Sequence, residues 1–184
     1  MFLVAGAIAF GGGCLARSRY ERDCLVTEEY RIVSEKIHGP GKTIVFLTDL
    51  HNKEFGDQNC RLLDAVRKVK PDAVLSGGDG MVAKKGNSDV EIPRKLLTEL
   101  AKEFPVYCGN GNHECRMVWK SDIYGAAYEN YQAALENAGI RYLANGSADL
   151  DGEIRIYGLD LPKSAYLPRS GQIPENLLKD ALGE

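Results

Sequence analysis

The stretch from Thr43 to His51 reads TIVFLTDLH, and it decides the fold class. Its first five residues form a continuous β-branched and apolar run, which predicts a strand covered on both faces, as in a parallel sheet. Two similar runs follow at residues 73–75 and 105–108, and amphipathic segments separate all three. Because the apolar period switches repeatedly between two and 3.6, we expect an α/β layer in which helices join the strands.

Three helices are predicted between and after these strands. The first is capped by Asp57 and stops before Pro71, because proline cannot continue a helix. The second covers residues 92–104, where apolar side chains recur at helical spacing. The third runs from about residue 123 to 138 and ends at Gly139, which suits the left-handed cap position.

The remaining strands are predicted at the margins of the sheet. Residues 29–37 alternate like an edge strand, and short strands are expected at residues 141–143, 148–150 and 154–157. The last two are joined by a turn at Asp151-Gly152.

The composition is that of a globular domain. Of the 184 residues, 44% are apolar and 27% are charged. The 23 Lys and Arg against 26 Asp and Glu give a net charge of -3, which disfavours nucleic-acid binding through bulk charge. The five cysteines include no Cys-x-x-Cys pair, so we expect free thiols in a reducing compartment rather than disulfides or a thiolate zinc site.

The amino-terminal segment is apolar and uncharged as far as Ala16, and Arg17, Arg19 and Arg22 follow it. It is shorter than the ~20 residues that a membrane span needs. The segment is either a minimal membrane anchor, with its arginines on the cytoplasmic side, or the frayed end of a soluble protein. We favour the anchor. The expected location is the cell membrane, or the cytoplasm if the segment is not an anchor. We divide the chain into residues 1–24 and a domain of residues 25–184, in which residues 174–182 resemble a helix opened by proline.

A polar cluster follows each of the three central strands. Residues 49–51 read DLH, residues 77–80 read GGDG, and residues 109–114 read GNGNHE. The carboxyl ends of strands form the ligand crevice of an open α/β sheet, so we expect the three clusters to converge. Side chains two apart on an extended segment point the same way, which lets Asp49 and His51 bind one ion. Carboxylate oxygen and imidazole nitrogen suit zinc, manganese or iron better than calcium.

The ordered set Asp-x-His, Gly-Asp and Gly-Asn-His-Glu, each after a strand, resembles the first three motifs of the calcineurin-like metallophosphoesterases. The resemblance covers about residues 42–160, and the context LTDLHNKEFG at residues 47–56 is similar to uncharacterised bacterial members, many of which have an apolar amino-terminal segment. It implies a layered α/β fold with a β-sheet core flanked by helices and an incomplete second sheet. Taken singly, each motif residue also suits a turn, a cap or a hydrogen-bonded histidine.

The resemblance implies a role for each motif residue. Asp49 and His51 bind the first metal, Asp79 bridges, Asn112 binds the second metal through its amide oxygen, and His113 is the catalytic residue that faces the substrate. Two divalent ions (Mn, Fe or Zn) then activate a shared water and clamp the phosphoryl group. His113 either protonates the departing alkoxide or holds a phosphate oxygen.

Three further residues affect the expected site, two as supports and one as a departure from the family pattern. Asn52 and Glu114 are predicted to support the metal ligands from behind, on the ground of their proximity alone. Val82 stands where family phosphatases with Gly-Asp-x-x-Asp have a carboxylate that orients the catalytic histidine. We therefore expect a weaker orientation of His113.

The sequence also departs from the family beyond its third motif. The family completes the metal shell with histidines from two later motifs, and no histidine follows His113 here. We expect a chain truncated at its carboxyl terminus, with part of the second sheet missing beyond Asp160.

The expected function is that of a metal-dependent phosphoesterase acting on a phosphomonoester, a phosphodiester or a pyrophosphate. The alternative is a catalytically silent or weakly metal-binding scaffold, motivated by the missing histidines. A Rossmann-type nucleotide-binding protein is disfavoured because no Gly-x-Gly-x-x-Gly follows the first central strand. Expected partners are a small phosphate ester or a lipid- or nucleotide-linked substrate, and a membrane through the amino terminus.

Overall fold

The computed structural model describes residues 2–166, 173 and 176–182 of the chain. The chain divides into two compact units, residues 1–32 and 33–184. The expected boundary at residue 24 stays a prediction.

The first unit contains one helix, α1 (Phe2–Asp23), and residues 24–32 after it form neither helix nor strand. Within the described residues, no helix combines the length and the apolar character needed to cross a membrane. The predicted edge strand at residues 29–37 is wrong, because no part of it forms a strand and Tyr30, Ile32 and Val33 are more than 80% exposed. An alternating pattern forms a strand only where a neighbouring strand accepts its hydrogen bonds.

A four-stranded parallel sheet forms the centre of the second unit, in the order β1-β2-β3-β4. The strands are β1 (Ile44–Leu47), β2 (Ala73–Ser76), β3 (Val106–Cys108) and β4 (Arg141–Tyr142). Ile44 pairs with Ala73, and Val74 pairs with Val106. A separate antiparallel hairpin consists of β5 (Gly146–Asp149) and β6 (Arg155–Gly158). The predicted α/β class is confirmed, and the four parallel strands follow one another along the chain as predicted.

Helices cross between the parallel strands, as such pairs require. They are α2 (Cys60–Val69), α3 (Glu91–Ala101), α4 (Asn112–Trp119), α5 (Ser121–Tyr124) and α6 (Ala127–Asn137), and a 3-10 turn at Asp57–Asn59 precedes α2. A second 3-10 turn at Lys163–Tyr166 and the helix α7 (Leu177–Leu182) follow the hairpin. The apolar face of α3 packs against α6, where Leu96, Leu100 and Leu135 are at most 2% exposed. Of the predicted carboxyl-terminal helix, Pro174 and Glu175 lie outside the described residues.

Three local predictions are corrected. β1 is not covered on both faces: it lies at the edge of the sheet, and the Phe46 side chain is 62% exposed. The third predicted helix is interrupted at Gly125, whose φ of 58° is not helical. Asp57 does not cap α2, because it belongs to the preceding 3-10 turn and Asn59 occupies the cap position.

Other local predictions are confirmed. Gly139 has a φ of 84° just after α6, which is the left-handed conformation expected of it. Tyr124, Tyr128 and Tyr131 are buried along one side of α5 and α6, and Cys108 is buried in β3. These positions hold the helix layer against the sheet and fix the loops at its carboxyl edge.

Candidate metal centre

The loops that follow β1 and β2 meet at one edge of the sheet. The backbone N–H of Asp49 donates to the Gly78 carbonyl at 3.2 Å, and that of His51 donates to the Asp79 carbonyl at 3.0 Å. A third bond runs from the Asn52 N–H to the Gly80 carbonyl at 2.8 Å. The two loops therefore extend the β1–β2 pairing beyond the strands, and they meet as the sequence predicts.

Asp49, His51 and Asp79 form a cluster of potential metal ligands. One ligand atom from each residue lies within 4.8 Å of the others, and His51 Nε2 is 3.4 Å from Asp49 Oδ1. Two carboxylates and an imidazole are a donor set that fits zinc, manganese or iron. Asp79 is 8% exposed, whereas Asp49 and His51 are open to solvent. The cluster is thus anchored in the protein on one side and accessible on the other.

The backbone conformation at these ligands differs from the expected one. The φ values of Asp49, His51 and Asp79 are 57°, 50° and 53°. They lie in the left-handed region, which residues other than glycine rarely adopt. Asp49 and His51 are therefore brought together by a tight turn and not by the alternation of an extended strand. Such strained conformations persist where the surrounding structure enforces them, and they concentrate at functional sites.

Asp79 also binds the third loop, which joins β3 to α4. Its Oδ1 accepts the backbone N–H of His113 at 2.7 Å, and its Oδ2 accepts Nδ2 of Asn112 at 2.7 Å. Asn112 and His113 begin helix α4, whose free N–H groups favour a carboxylate at this end. The Asn112 amide lies beside the cluster, and its oxygen, at the other end of the same group, is the atom that the resemblance assigns to a metal.

Glycines allow the second and third loops to touch. A Cβ atom at Gly78 would collide with the backbone nitrogen of Gly111, and one at Gly111 would lie 2.5 Å from Asp79 Oδ1. Gly78 has a φ of 87°, which also favours glycine. The glycines of the two motifs are therefore required for the close approach of Asp79 to α4.

Glu114 lies directly behind the cluster. Its side chain is 1% exposed and accepts the backbone N–H groups of Asp79 at 2.9 Å, Gly80 at 3.3 Å and Gly111 at 3.0 Å. Burial raises the pKa of Glu114 above its ordinary value. The other neighbour, Asn52, donates from Nδ2 to the Asp89 carbonyl at 3.1 Å.

The ring of His113 is adjacent to the cluster and has a partner of its own. Its Nδ1 accepts the backbone N–H of Ala83 at 3.0 Å, and the ring meets that of His51 edge-on with 5.1 Å between centroids. Burial lowers the pKa of His113 below its ordinary value. Val82 offers no carboxylate, and the next residue along the chain contacts the ring through its backbone N–H. The expected weaker orientation of His113 stays a prediction.

Sequence reasoning missed a second network, centred on Asn110. Asn110 Oδ1 accepts the hydroxyl of Tyr142 at 2.6 Å and that of Tyr128 at 3.2 Å, and its Nδ2 donates to Asp160 Oδ2 at 3.0 Å. This network ties the loop before α4 to β4, to α6 and to the segment after β6. The one available signal was an asparagine between two glycines in a loop that already carried a motif.

The sheet, the converging loops and the Asp–His–Asp cluster define an α/β protein with a candidate divalent-metal centre at the carboxyl edge of its parallel strands. The family model described as calcineurin-like phosphoesterase matches residues 42–182, and the chain belongs to this family. Membership implies metal-dependent hydrolysis of phosphate esters in general terms. Comparison with curated proteins and with solved structures returned no significant match.

Proposed function

We propose that this chain is a hydrolase that cleaves a phosphomonoester, a phosphodiester or a pyrophosphate at the cluster of Asp49, His51 and Asp79. The observation that carries the proposal is the convergence of three ligand atoms within 4.8 Å of one another, from two loops that are far apart in sequence. Family membership supports the reaction class.

The residues divide into ligands and a substrate-facing group. Asp49, His51 and Asp79 would hold one divalent cation, and Asp79 with Asn112 would hold a second, the metal being manganese, iron or zinc. Bound cations supply Lewis-acid charge to the phosphoryl oxygens and lower the pKa of a water molecule. His113, whose ring meets that of His51, faces the substrate.

The chain prepares these groups before any substrate arrives. The two hydrogen bonds to the Asp79 carboxylate set its orientation, and the Ala83 N–H sets that of the His113 ring. Pre-set side chains lower the cost of reorganisation during the reaction. The negative charge of Asp49 and Asp79 attracts divalent cations, and the loaded site in turn attracts a phosphate ester despite the net charge of -3.

The test compares Asp79→Asn with Asp122→Asn, an exposed aspartate on α5. Each protein is stripped with a chelator, reloaded with Mn²⁺ and assayed with p-nitrophenyl phosphate, bis(p-nitrophenyl) phosphate and pyrophosphate, and the bound metal is counted by elemental analysis. We expect turnover in the wild type and in Asp122→Asn. In Asp79→Asn we expect a loss greater than the ~10–100-fold that removal of an outer partner of a metal ligand costs.

Two results contradict the proposal. Turnover that survives Asp79→Asn unchanged places the reaction elsewhere. A folded wild type that binds Mn²⁺ without turnover on any of the three substrates supports the silent scaffold instead.

A further inference from the structure

We infer that Arg116 binds the phosphoryl group of the substrate, and that this substrate is a phosphomonoester or a pyrophosphate rather than a phosphodiester. The inference rests on the proposed function and deepens it, because it decides among the three substrate classes that the proposed function leaves open. It starts from a half-buried guanidinium on α4 that has no acidic partner among the described residues.

Arg116 lies on the side of α4 that faces the cluster. The helix begins at Asn112, and residues three or four apart on a helix are neighbours on its surface. Arg116 is therefore the neighbour of both Asn112 and His113, one turn further along. Ala83 links the two side chains a second time, because its backbone N–H donates to the His113 ring at 3.0 Å and its carbonyl accepts Nη1 of Arg116 at 3.0 Å. The guanidinium thus lies next to the group that faces the substrate.

The charge of Arg116 is not compensated by the described part of the protein. Within that part, its guanidinium has the Ala83 carbonyl as its one hydrogen-bond partner and no carboxylate at ion-pair distance. Arg67, Arg94 and Arg155, by contrast, each pair with a carboxylate at 2.7 Å or less. A partly buried charge without a counter-ion is unfavourable, and a bound anion removes this cost.

A phosphoryl group is the anion that fits this position. The guanidinium carries five N–H donors in a planar fork, and the Ala83 carbonyl occupies one of them. The remaining donors match the oxygens of a phosphate. An anion drawn to the loaded cluster comes within reach of the first turns of α4, where Arg116 supplies both positive charge and hydrogen bonds.

The positive charge of Arg116 distinguishes the substrate classes. A phosphomonoester presents three acceptor oxygens and carries nearly two negative charges at pH 7, because its second pKa is ~6. A diester carries one negative charge, and its second ester group replaces one of the acceptor oxygens. Each end of a pyrophosphate resembles the monoester in this respect. A guanidinium beside the cluster therefore favours a terminal phosphoryl group over a bridging one.

The test compares Arg116→Gln and Arg116→Lys with the control Arg141→Gln. Arg141 lies on β4, at the other edge of the sheet from β1, and also donates Nη1 to a backbone carbonyl, that of Asp149 at 3.1 Å. We measure kcat and KM of the Mn²⁺-loaded proteins on p-nitrophenyl phosphate and bis(p-nitrophenyl) phosphate, which share a leaving group. Thermal unfolding establishes that the variants are folded.

We expect Arg116→Gln to lower kcat/KM on the monoester about 10–100-fold, as loss of a hydrogen bond to a charged group does, and to leave the diester almost unchanged. Arg116→Lys retains the charge and is expected to lose less. Arg141→Gln is expected to keep the wild-type ratio of the two substrates. A ratio that Arg116→Gln does not change, or a wild type that prefers the diester, overturns the inference, since a purely structural role affects both substrates alike.

A second measurement does not depend on turnover. Isothermal titration calorimetry of the Mn²⁺-loaded wild type and Arg116→Gln compares inorganic phosphate with dimethyl phosphate. We expect the wild type to bind inorganic phosphate more tightly, and Arg116→Gln to weaken that binding about 10–100-fold. Absence of phosphate binding, or equal affinity in the two proteins, overturns the inference even in an active enzyme. A wild type that binds phosphate through Arg116 but hydrolyses no ester refutes the proposed function and leaves the arginine site as the supported part.

Discussion

The buried carboxylate of Glu114 accepts a hydrogen bond of 2.9 Å from the backbone N–H of Asp79, a residue 35 positions earlier in the chain. The same carboxylate accepts from Gly80 and Gly111, so one side chain joins the loop after β2 to the start of α4. Asp79 returns the contact through its own carboxylate, which accepts the His113 N–H. Glu114 therefore fixes the backbone of Asp79, the candidate bridging ligand, although Glu114 is not itself part of the cluster.

Replacing Glu114 by glutamine is expected to weaken both the fold and the metal site. The glutamine NH₂ faces backbone N–H groups, and a buried donor without an acceptor costs ~1–3 kcal/mol in free energy of unfolding. We expect Mn²⁺ affinity to fall ~10–100-fold, because the Asp79 loop loses its support. Urea unfolding and isothermal titration calorimetry measure the two effects. The control is Glu129→Gln on the exposed side of α6, and a Glu114 variant that matches it in both assays contradicts a supporting role.

Alanine at Gly111 tests the close contact of the two loops. Gly111 has a φ of -98°, which alanine adopts freely, so the change adds only a Cβ atom next to the Asp79 carboxylate. Overpacking of this kind costs ~1–3 kcal/mol, and we expect it to displace Asp79.

The measurement for this variant is the rise in melting temperature on adding Mn²⁺. Saturation to 100 times Kd stabilises a binding protein by ~2.7 kcal/mol. We expect the rise in the wild type and in Gly146→Ala, where a Cβ meets no other atom within 4 Å, and not in Gly111→Ala. An undiminished rise in Gly111→Ala shows that the loops can separate without loss of the site.

The buried thiols are expected to resist alkylation in the native protein. Burial raises the pKa of both Cys108 and Cys115 to about 12, so almost no thiolate forms at neutral pH. Cys60 is exposed at the start of α2 and provides the internal control. Iodoacetamide followed by peptide mass spectrometry should find Cys60 modified within minutes, and Cys108 and Cys115 modified only in denaturant. Labelling of Cys108 at the rate of Cys60 is incompatible with the β3 core described above.

A pH-dependent contribution is expected where β1 and β2 begin. The N–H of Thr43 donates to Asp72 Oδ2 at 2.8 Å, which lowers the pKa of Asp72 below 3.8. Because the folded state lowers this pKa, the stabilisation is present above pH 3.8 and disappears as the pH falls through the lower, folded value. The Asp72 side chain is 40% exposed, so we expect Asp72→Asn to cost well under ~1 kcal/mol at pH 7. Urea unfolding at pH 7 and near pH 3 should show the wild type and the variant converging in acid, and a gap that widens there contradicts this assignment.

The sequence predicts which residues form the candidate site but not the backbone geometry that brings them together. Asp49, His51, Asp79 and Asn112 follow strands that β-branched and apolar runs mark in the sequence, and parallel strands present their carboxyl ends at a common edge. The expected reason for pairing Asp49 with His51, an extended backbone, is wrong, because both residues adopt left-handed conformations. Local sequence does not report φ where hydrogen bonds from a neighbouring loop impose it.

The sequence by itself determined the fold class, the order of the four parallel strands and the residue types at the site, because period, β-branching and glycine act over a few neighbouring positions. It did not predict helix α4, and its edge strand at residues 29–37 is wrong. Only the tertiary structure decided that Phe46 lies on an exposed edge strand, that Glu114 supports Asp79, and that the Ala83 N–H holds His113. Each of these depends on residues distant in the chain or on a backbone group that is the same in nearly every residue, and neither leaves a mark in the pattern of side chains.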